Sequence, residues 1–309
     1  MLKLQDWFLP DKIHWGYLSE NPNAISLLEK NLDKIDWDCL TINPNAIHLL
    51  EKNMDKLSDV NWYWLSTNPN AIHLLENNTD KINWGMLSEN RNAIHLLEKN
   101  LDKLSDVNWY WLSTNPNAIP LLEKHPDKIG WCWLSRNPNA IPLLEKNLDK
   151  IQWGMLSANP NAIALLEKNL DKINWINLSK NPNAIHLLEK YPDKIDWSYL
   201  SMNPNAIHLL EKYPDKIDWY ELSRNRNAIA ILEKNQDKII WSHLSMNPNA
   251  MPLLEKNLDK IDWFWIFANP AIFTYDYQAI AERCIIKKDL MKNRFHPRHL
   301  DRFEKWGFV

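Results

Sequence analysis

Tryptophan recurs in this chain at a fixed interval, and that interval dictates what the chain can fold into. Trp15 and Trp37 are 22 residues apart, and Trp109, Trp131, Trp153, Trp175, Trp197, Trp219, Trp241 and Trp263 follow one another at the same 22. Two steps, Trp37 to Trp62 and Trp84 to Trp109, are 25 residues long. A repeat of this length builds a solenoid, a propeller or an array. One unit reads I-D-W-D-C-L-T-I-N-P-N-A-I-H-L-L-E-K-N-M-D-K at Ile35 to Lys56, with Ser in place of Thr41 in most copies. The spacing of Ala46, Ile47, Leu49 and Leu50 suits one face of a helix and not the alternation of a strand. The 5 glycines among 309 residues also argue against a phosphate-cradling loop, a Rossmann turn or a hairpin-rich β fold.

Each unit therefore reads as two short helices. The first begins at Trp37 with Asp36 as N-cap, and Ile35 and Leu40 have the spacing of a hydrophobic staple. Gly130, Gln152 and Ile240 break the cap pattern. The second helix is expected to start with Asn45 and its counterparts as caps, because Pro120, Pro142 and Pro252 then fall in the first turn, where no amide donor is needed. Asn53 marks its end. Helices of about two turns do not persist alone. One unit has too few apolar side chains to offset the ordering of its backbone, at about 1–2 kcal/mol per residue, so units must be stabilised by stacking.

The predicted fold is all-α, an α-solenoid of about twelve 22-residue two-helix repeats. Residues 1–11 form an N-terminal cap, residues 12–270 the repeats, and residues 271–309 a C-terminal helical cap. With packed helices roughly 8–10 Å apart, the array extends on the order of 100 Å along a curved path. The segments Asp55 to Ile72 and Asp102 to Ile119 are identical, and each carries three extra residues before its tryptophan. These inserts are expected to bulge the loop between units. At the ends, Leu2, Leu4, Trp7, Phe8 and Leu9 should cover the first unit. Tyr275 to Arg294 reads as an amphipathic helix with Ile280, Cys284 and Ile285 on one side, and Pro297 to Trp306 as a last helix.

Taken together, the units D-K-I-[D/N]-W-x-x-L-S-x-N-P-N-A-I-x-L-L-E-K resemble the short tryptophan repeats encoded by giant nucleocytoplasmic large DNA viruses. The tail is similar to the C-terminal segment of the same proteins in N-P-A-I-F (Asn269 to Phe273), D-Y (Asp276-Tyr277) and F-H-P-R-H-L (Phe295 to Leu300), although here it ends soon after Gly307. The resemblance implies a viral protein made in an infected host cell, located in the cytoplasm, the viral factory or the virion. It implies no activity.

Function, on this reading, lies in the outward positions of the first helices: the two residues after each tryptophan and the one after each serine. The second of these is often large and apolar. Tyr17, Trp64, Met86, Trp111, Trp133, Met155, Tyr199 and Trp265, with His243 as a polar exception, are the candidate partner-binding residues, since a row of aromatic and Met side chains suits recognition. Packing of the same residues against neighbouring units is the competing account. The recurrent Asn, Ser and Asp-Lys positions read as capping and turn elements, and Glu51, Lys52 and His48 as a solvated face. Histidines on successive units are too far apart to share a metal ion, and Cys39, Cys132 and Cys284 read as free thiols of a reducing compartment.

No catalytic constellation is present, and neither a cofactor nor a metal is expected. The leading expectation is a non-enzymatic scaffold, a monomer by default, that binds an extended protein partner of host or viral origin. The alternatives are a virion-associated structural protein and a single-strand nucleic-acid binder with stacked aromatics. Against the last stands charge: residues 1–270 carry 28 Lys or Arg and 34 Asp or Glu, whereas such binders need a basic track. No run of 18 apolar residues occurs, so no membrane-spanning helix is expected.

Overall fold

The computed structural model describes residues 2–293, with side chains described as far as residue 285. It is an all-α repeat solenoid. First helices begin at the repeat tryptophan (Trp37–Leu40, Trp84–Glu89, Trp197–Met202) and second helices four residues after the first Asn of the N-P-N or N-R-N turn (Ile47–Lys52, Ile94–Lys99, Ile207–Lys212). A one-turn 3-10 segment over the Asp-Lys pair, such as Met54–Lys56, leads to the next unit. Leu40 and Leu50, with their counterparts, are fully buried between the layers, together with Ala46. The tryptophans sit at the edge of this core. Trp62 and Trp109 are buried, and the other ten are half-buried.

Local chemistry explains the helix starts. The Asp36 carboxylate accepts from the Cys39 amide at 3.1 Å, as the N-cap expectation requires. The second helix differs from expectation. Its N-cap is Ala46, which offers no side-chain acceptor. The first Asn caps the N-P-N turn instead: Asn43 Oδ1 accepts from the Asn45 amide at 3.0 Å, and the Asn43 carbonyl from the Ala46 amide. Pro120, Pro142 and Pro252 still fall in the first turn, so that part of the argument holds with the cap displaced by one residue. The inserts also differ. No loop bulges: the three extra residues join the first helix, which runs Asp59–Leu65 and Asp106–Thr114, starting from capping boxes at Ser58 and Ser105.

The units are tied together by buried asparagines. Asn43 Nδ2 donates to the carbonyls of Ser19 and Asn21 in the preceding unit, at 2.9 Å each. The same pair of bonds recurs at Asn68, Asn90, Asn115, Asn137, Asn159, Asn181, Asn203, Asn225, Asn247 and Asn269. A second ladder runs beside it, in which Asn45 Nδ2 donates to the Pro22 carbonyl at 2.9 Å. Ser19 Oγ adds a third link, donating to Trp15 O and accepting the Asp36 amide of the next unit. The recurrent Asn and Ser are thus more than caps, because they satisfy backbone groups of the neighbouring unit that stacking removes from water.

The ladder has no end. Asn21 of the first unit donates to the carbonyls of Phe267 and Asn269 in the last, at 3.1 and 3.0 Å, and Asn23 donates to Pro270 O at 2.9 Å. Residues Leu2–Leu4 (β1) pair antiparallel with Phe273–Tyr275 (β2), with Leu2 opposite Tyr275 and Leu4 opposite Phe273. The β2 strand stands where a twelfth second helix would be. Phe8 lies 5.7 Å from Phe267 and 5.9 Å from Trp263, ring to ring. The chain therefore closes into a ring in which the step from the last unit to the first repeats the other steps. This corrects the expectation of an open array with capped ends: the two terminal segments join each other. A head-to-tail interface closes when its rotation divides the circle, here about 30° per unit.

Consecutive first helices lie directly against one another at most steps of the ring, as at Trp15–Glu20 on Trp37–Leu40 and Trp197–Met202 on Trp219–Leu222, whereas among the described residues consecutive second helices make no comparable backbone approach. Second helices are bridged by long side chains such as His48 Nε2 to Glu29 Oε1 at 2.9 Å and His208 Nε2 to Glu189 Oε1 at 2.7 Å. The closer layer has the smaller radius, so first helices form the inner wall. Twelve steps of roughly 8–10 Å give that wall a diameter of about 30–40 Å between helix axes.

Beyond β2, a helix runs Tyr277–Asn293, with the Asp276 carboxylate accepting from the Ala279 amide. Cys284 and Ile285, on the expected apolar side of that helix, are exposed. The expected last helix, Pro297 to Trp306, lies outside the described residues. Among the described residues, no helix is long and apolar enough to cross a membrane.

Candidate functional site

The candidate row lies on the inner wall, where each first helix offers its variable positions beside those of its neighbours. The structure brings several candidates together. Trp111 and Trp133 approach to 5.5 Å between ring centroids, and Tyr17 and Trp265 meet across the closure at 5.2 Å. Tyr199 carries the Lys180 ammonium 3.6 Å over its ring, a cation–π contact between adjacent units. Trp64 is the most open of the candidates, 40% exposed, and stands edge-on to Tyr63. Met86 and Met155 are half-buried. Packing against neighbours and exposure on the wall are thus combined in the same side chains.

His243 departs from the expectation of an outward side chain. It is 6% exposed and doubly bonded. Its Nδ1 faces the Tyr220 carbonyl at 3.0 Å, so Nδ1 carries the proton and Nε2 is free to accept from Arg224 Nη2 at 2.8 Å. The imidazole lies 3.9 Å from the Tyr220 ring, and the Arg224 guanidinium lies 5.4 Å from that ring. The position is filled this way because the histidine follows a unit that supplies both a tyrosine and an arginine.

Two depressions open on this wall. The larger holds about 670 Å³ and is lined by Tyr220, Arg224, Arg226, Ser242, His243, Met246, Asn247, Pro248 and Trp265. The smaller, of about 280 Å³, lies between Trp111 and Trp133 and is edged by Glu89, Thr114 and Arg136. The larger falls within the size range of small-molecule sites. Arg224 and Arg226 lie outside the candidate row, and the unit that carries them reads S-R-N-R where most others read S-x-N-P. That break in the framework was the available signal. Nearby, Glu221 Oε2 is buried with no hydrogen-bond partner among the described residues, so this stretch of the ring carries uncompensated polarity.

The thiols separate by environment. Cys132 and Cys284 are exposed. Burial, followed by the carboxylates of Asp36 and Glu20, pushes the Cys39 thiol up to about 12. The thiolate is the reactive form. Alkylation at pH 8 is therefore expected to modify Cys132 and Cys284 promptly and Cys39 at least about tenfold more slowly, with the difference erased in guanidinium. Mass spectrometry of the labelled peptides reads this, and equal rates in the folded chain would refute the Cys39 environment.

The recurrent Asp-Lys lysine also has a specific place. Lys150 Nζ sits 4.7 Å over the Trp131 ring of its own unit, and Lys172 and Lys238 do the same over Trp153 and Trp219 at 4.6 Å. In these copies it shields the half-exposed tryptophan, whereas in others, such as Lys34 with Asp33 at 3.6 Å, it pairs loosely with the adjacent aspartate. Among the described residues, no three His, Cys, Asp or Glu side chains are arranged to hold a metal ion. No protein-family model, curated protein or solved structure matches the chain.

Proposed function

We propose that the ring is a non-enzymatic interaction scaffold that grips an extended protein partner with the variable residues of its inner wall. One observation carries the reading. The asparagine ladder is bonded in the same way in every unit, while the wall residues between its rungs differ from unit to unit. Packing between equivalent units needs no such variety, whereas recognition of an irregular ligand does. The estimated inner diameter, less the side chains of a helix about 10–12 Å across, leaves room for an extended strand or a single helix.

The partner is of host or viral origin if the resemblance to the giant-virus repeats holds. The alternative of a virion structural role has an elongated shape and the viral resemblance as its grounds, and ring closure removes the first of these. Replacing Trp64, Trp111 and Trp133 with Ala tests the scaffold reading. Interface aromatics of this size each contribute on the order of 1–4 kcal/mol, so capture by the immobilised ring of the proteins bound by the unaltered chain is expected to fall at least about tenfold. The far-ultraviolet helical signal should persist. Undiminished capture by a folded triple variant would reject the wall as the contact surface.

A further inference from the structure

The strongest departures from the repeat converge on one place. Only the tenth unit has arginine at both the position after serine and the position usually held by proline, Arg224 and Arg226. The next unit is the only one with histidine at the third first-helix position. All three line the depression of about 670 Å³, and no carboxylate lines it. Among the described residues, neither arginine is ion-paired. His243, buried and held by the Tyr220 carbonyl, presents its lone pair to Arg224 and so fixes one edge of that guanidinium. The remaining N–H groups of Arg224 keep their donor capacity. Trp265 supplies an aromatic surface and Met246 an apolar one.

The geometry points to a binding site for a small organic oxyanion, a phosphate or a carboxylate, borne on a flat unsaturated ring. Two guanidinium groups without a counter-charge suit planar bidentate recognition of such an anion. A half-buried indole beside them suits a ring, and the volume suits a molecule of mononucleotide size. His243 acts as a positioning residue for Arg224. The site stands apart from the scaffold reading: it requires only the tenth to twelfth units, and a ligand there leaves most of the wall free.

Calorimetric titration of the full chain tests the site, with AMP and benzoate as ring-bearing anions and adenosine and inorganic phosphate as the separated halves. AMP or benzoate is expected to bind, with adenosine and inorganic phosphate each at least about tenfold weaker than AMP. Arg226→Ala, an exposed substitution, should weaken the binding at least about tenfold, as should Arg224→Ala. Arg136→Ala, at the smaller depression, should leave it unchanged and controls for general electrostatics. His243→Gln is expected to weaken binding less than Arg224→Ala, because it alters only the orientation of the guanidinium. The site is refuted if neither ring-bearing anion binds up to about 5 mM. It is equally refuted if binding survives in both Arg224→Ala and Arg226→Ala, or falls as much in Arg136→Ala. Unchanged thermal unfolding of the Arg226→Ala chain separates loss of the site from loss of the fold.

Discussion

Replacing Asn159 with alanine is expected to cost about 3–5 kcal/mol, the largest effect of any single substitution in the repeats. The residue is fully buried. Its amide donates to Ser135 O at 3.1 Å and Asn137 O at 2.9 Å, and its carbonyl accepts from the Asn161 amide at 3.0 Å. Alanine leaves the Ser135 carbonyl and the Asn161 amide without partners and takes one of two donors from the Asn137 carbonyl, which keeps the Ala140 amide. Each such orphan costs about 1–3 kcal/mol, less what relaxation recovers. Asn159→Asp should fare no better, since it loses both donors and brings a charge into the interior. The companion asparagine provides the contrast. Asn161 is exposed and donates one bond to Pro138 O at 2.9 Å, so Asn161→Ala is expected to cost under about 1.5 kcal/mol. Denaturant midpoints of the full ring measure both. A loss below about 1 kcal/mol at Asn159, or equal losses at the two positions, would overturn the ladder as the main tie between units.

Opening the ring should have the second large effect. The closure is held by β1 on β2, by Gln5 N to Ile272 O at 3.0 Å, by Phe8 against Trp263 and Phe267, and by Asn21 on the last unit. Phe8→Ala alone is expected to cost about 3–5 kcal/mol locally. Deleting residues 1–9 and changing Asn21 to Ala should part the seam entirely. Small-angle scattering should then show a larger radius of gyration. Unfolding should broaden, because an open array of nearest-neighbour units frays from its ends whereas a ring has none. An unchanged scattering curve from the altered chain would mean that the remaining contacts, such as Tyr17 on Trp265, close it unaided.

How far the sequence discloses this architecture depends on the range of each interaction. The period, the two helices and the Asp36 cap are local, and local spacing reveals them. The cap of the second helix was misplaced because proline positions exclude only the amides after the first turn. They bound the start to a few residues, and backbone geometry chose Ala46. The inserts join the helix because Ser58 and Ser105, with Asn61 and Asn108 three residues later, form capping boxes that the tryptophan register does not disclose. Ring closure is different in kind. It is the sum of twelve small rotations, and no residue states that sum. The nearest signs were Phe267, where other units have serine or threonine, and the early aromatic pair Trp7-Phe8, which serves the closure and not a free end.

The candidate row was legible as variable residues on a constant frame, but the larger of its two depressions was not. Size and hydrophobicity guided the choice of Trp64, Trp111 and Trp133. Arg224 and Arg226 declare themselves only against the background of the repeat, as replacements at two framework-adjacent positions of one unit. His243 was chosen for its position and turned out to be buried, because the Tyr220 carbonyl and the Arg224 guanidinium compete for it more effectively than water does.

Every bond of the asparagine ladder runs the same way, donor in the later unit and acceptor in the earlier. A closed circuit of such bonds has a sense of circulation, so the two rims of the ring are chemically distinct and no two-fold axis relates them. A thread drawn through from one rim meets the wall residues in the opposite orientation to a thread drawn from the other. For a threaded ligand, entry from the two sides therefore gives two inequivalent complexes.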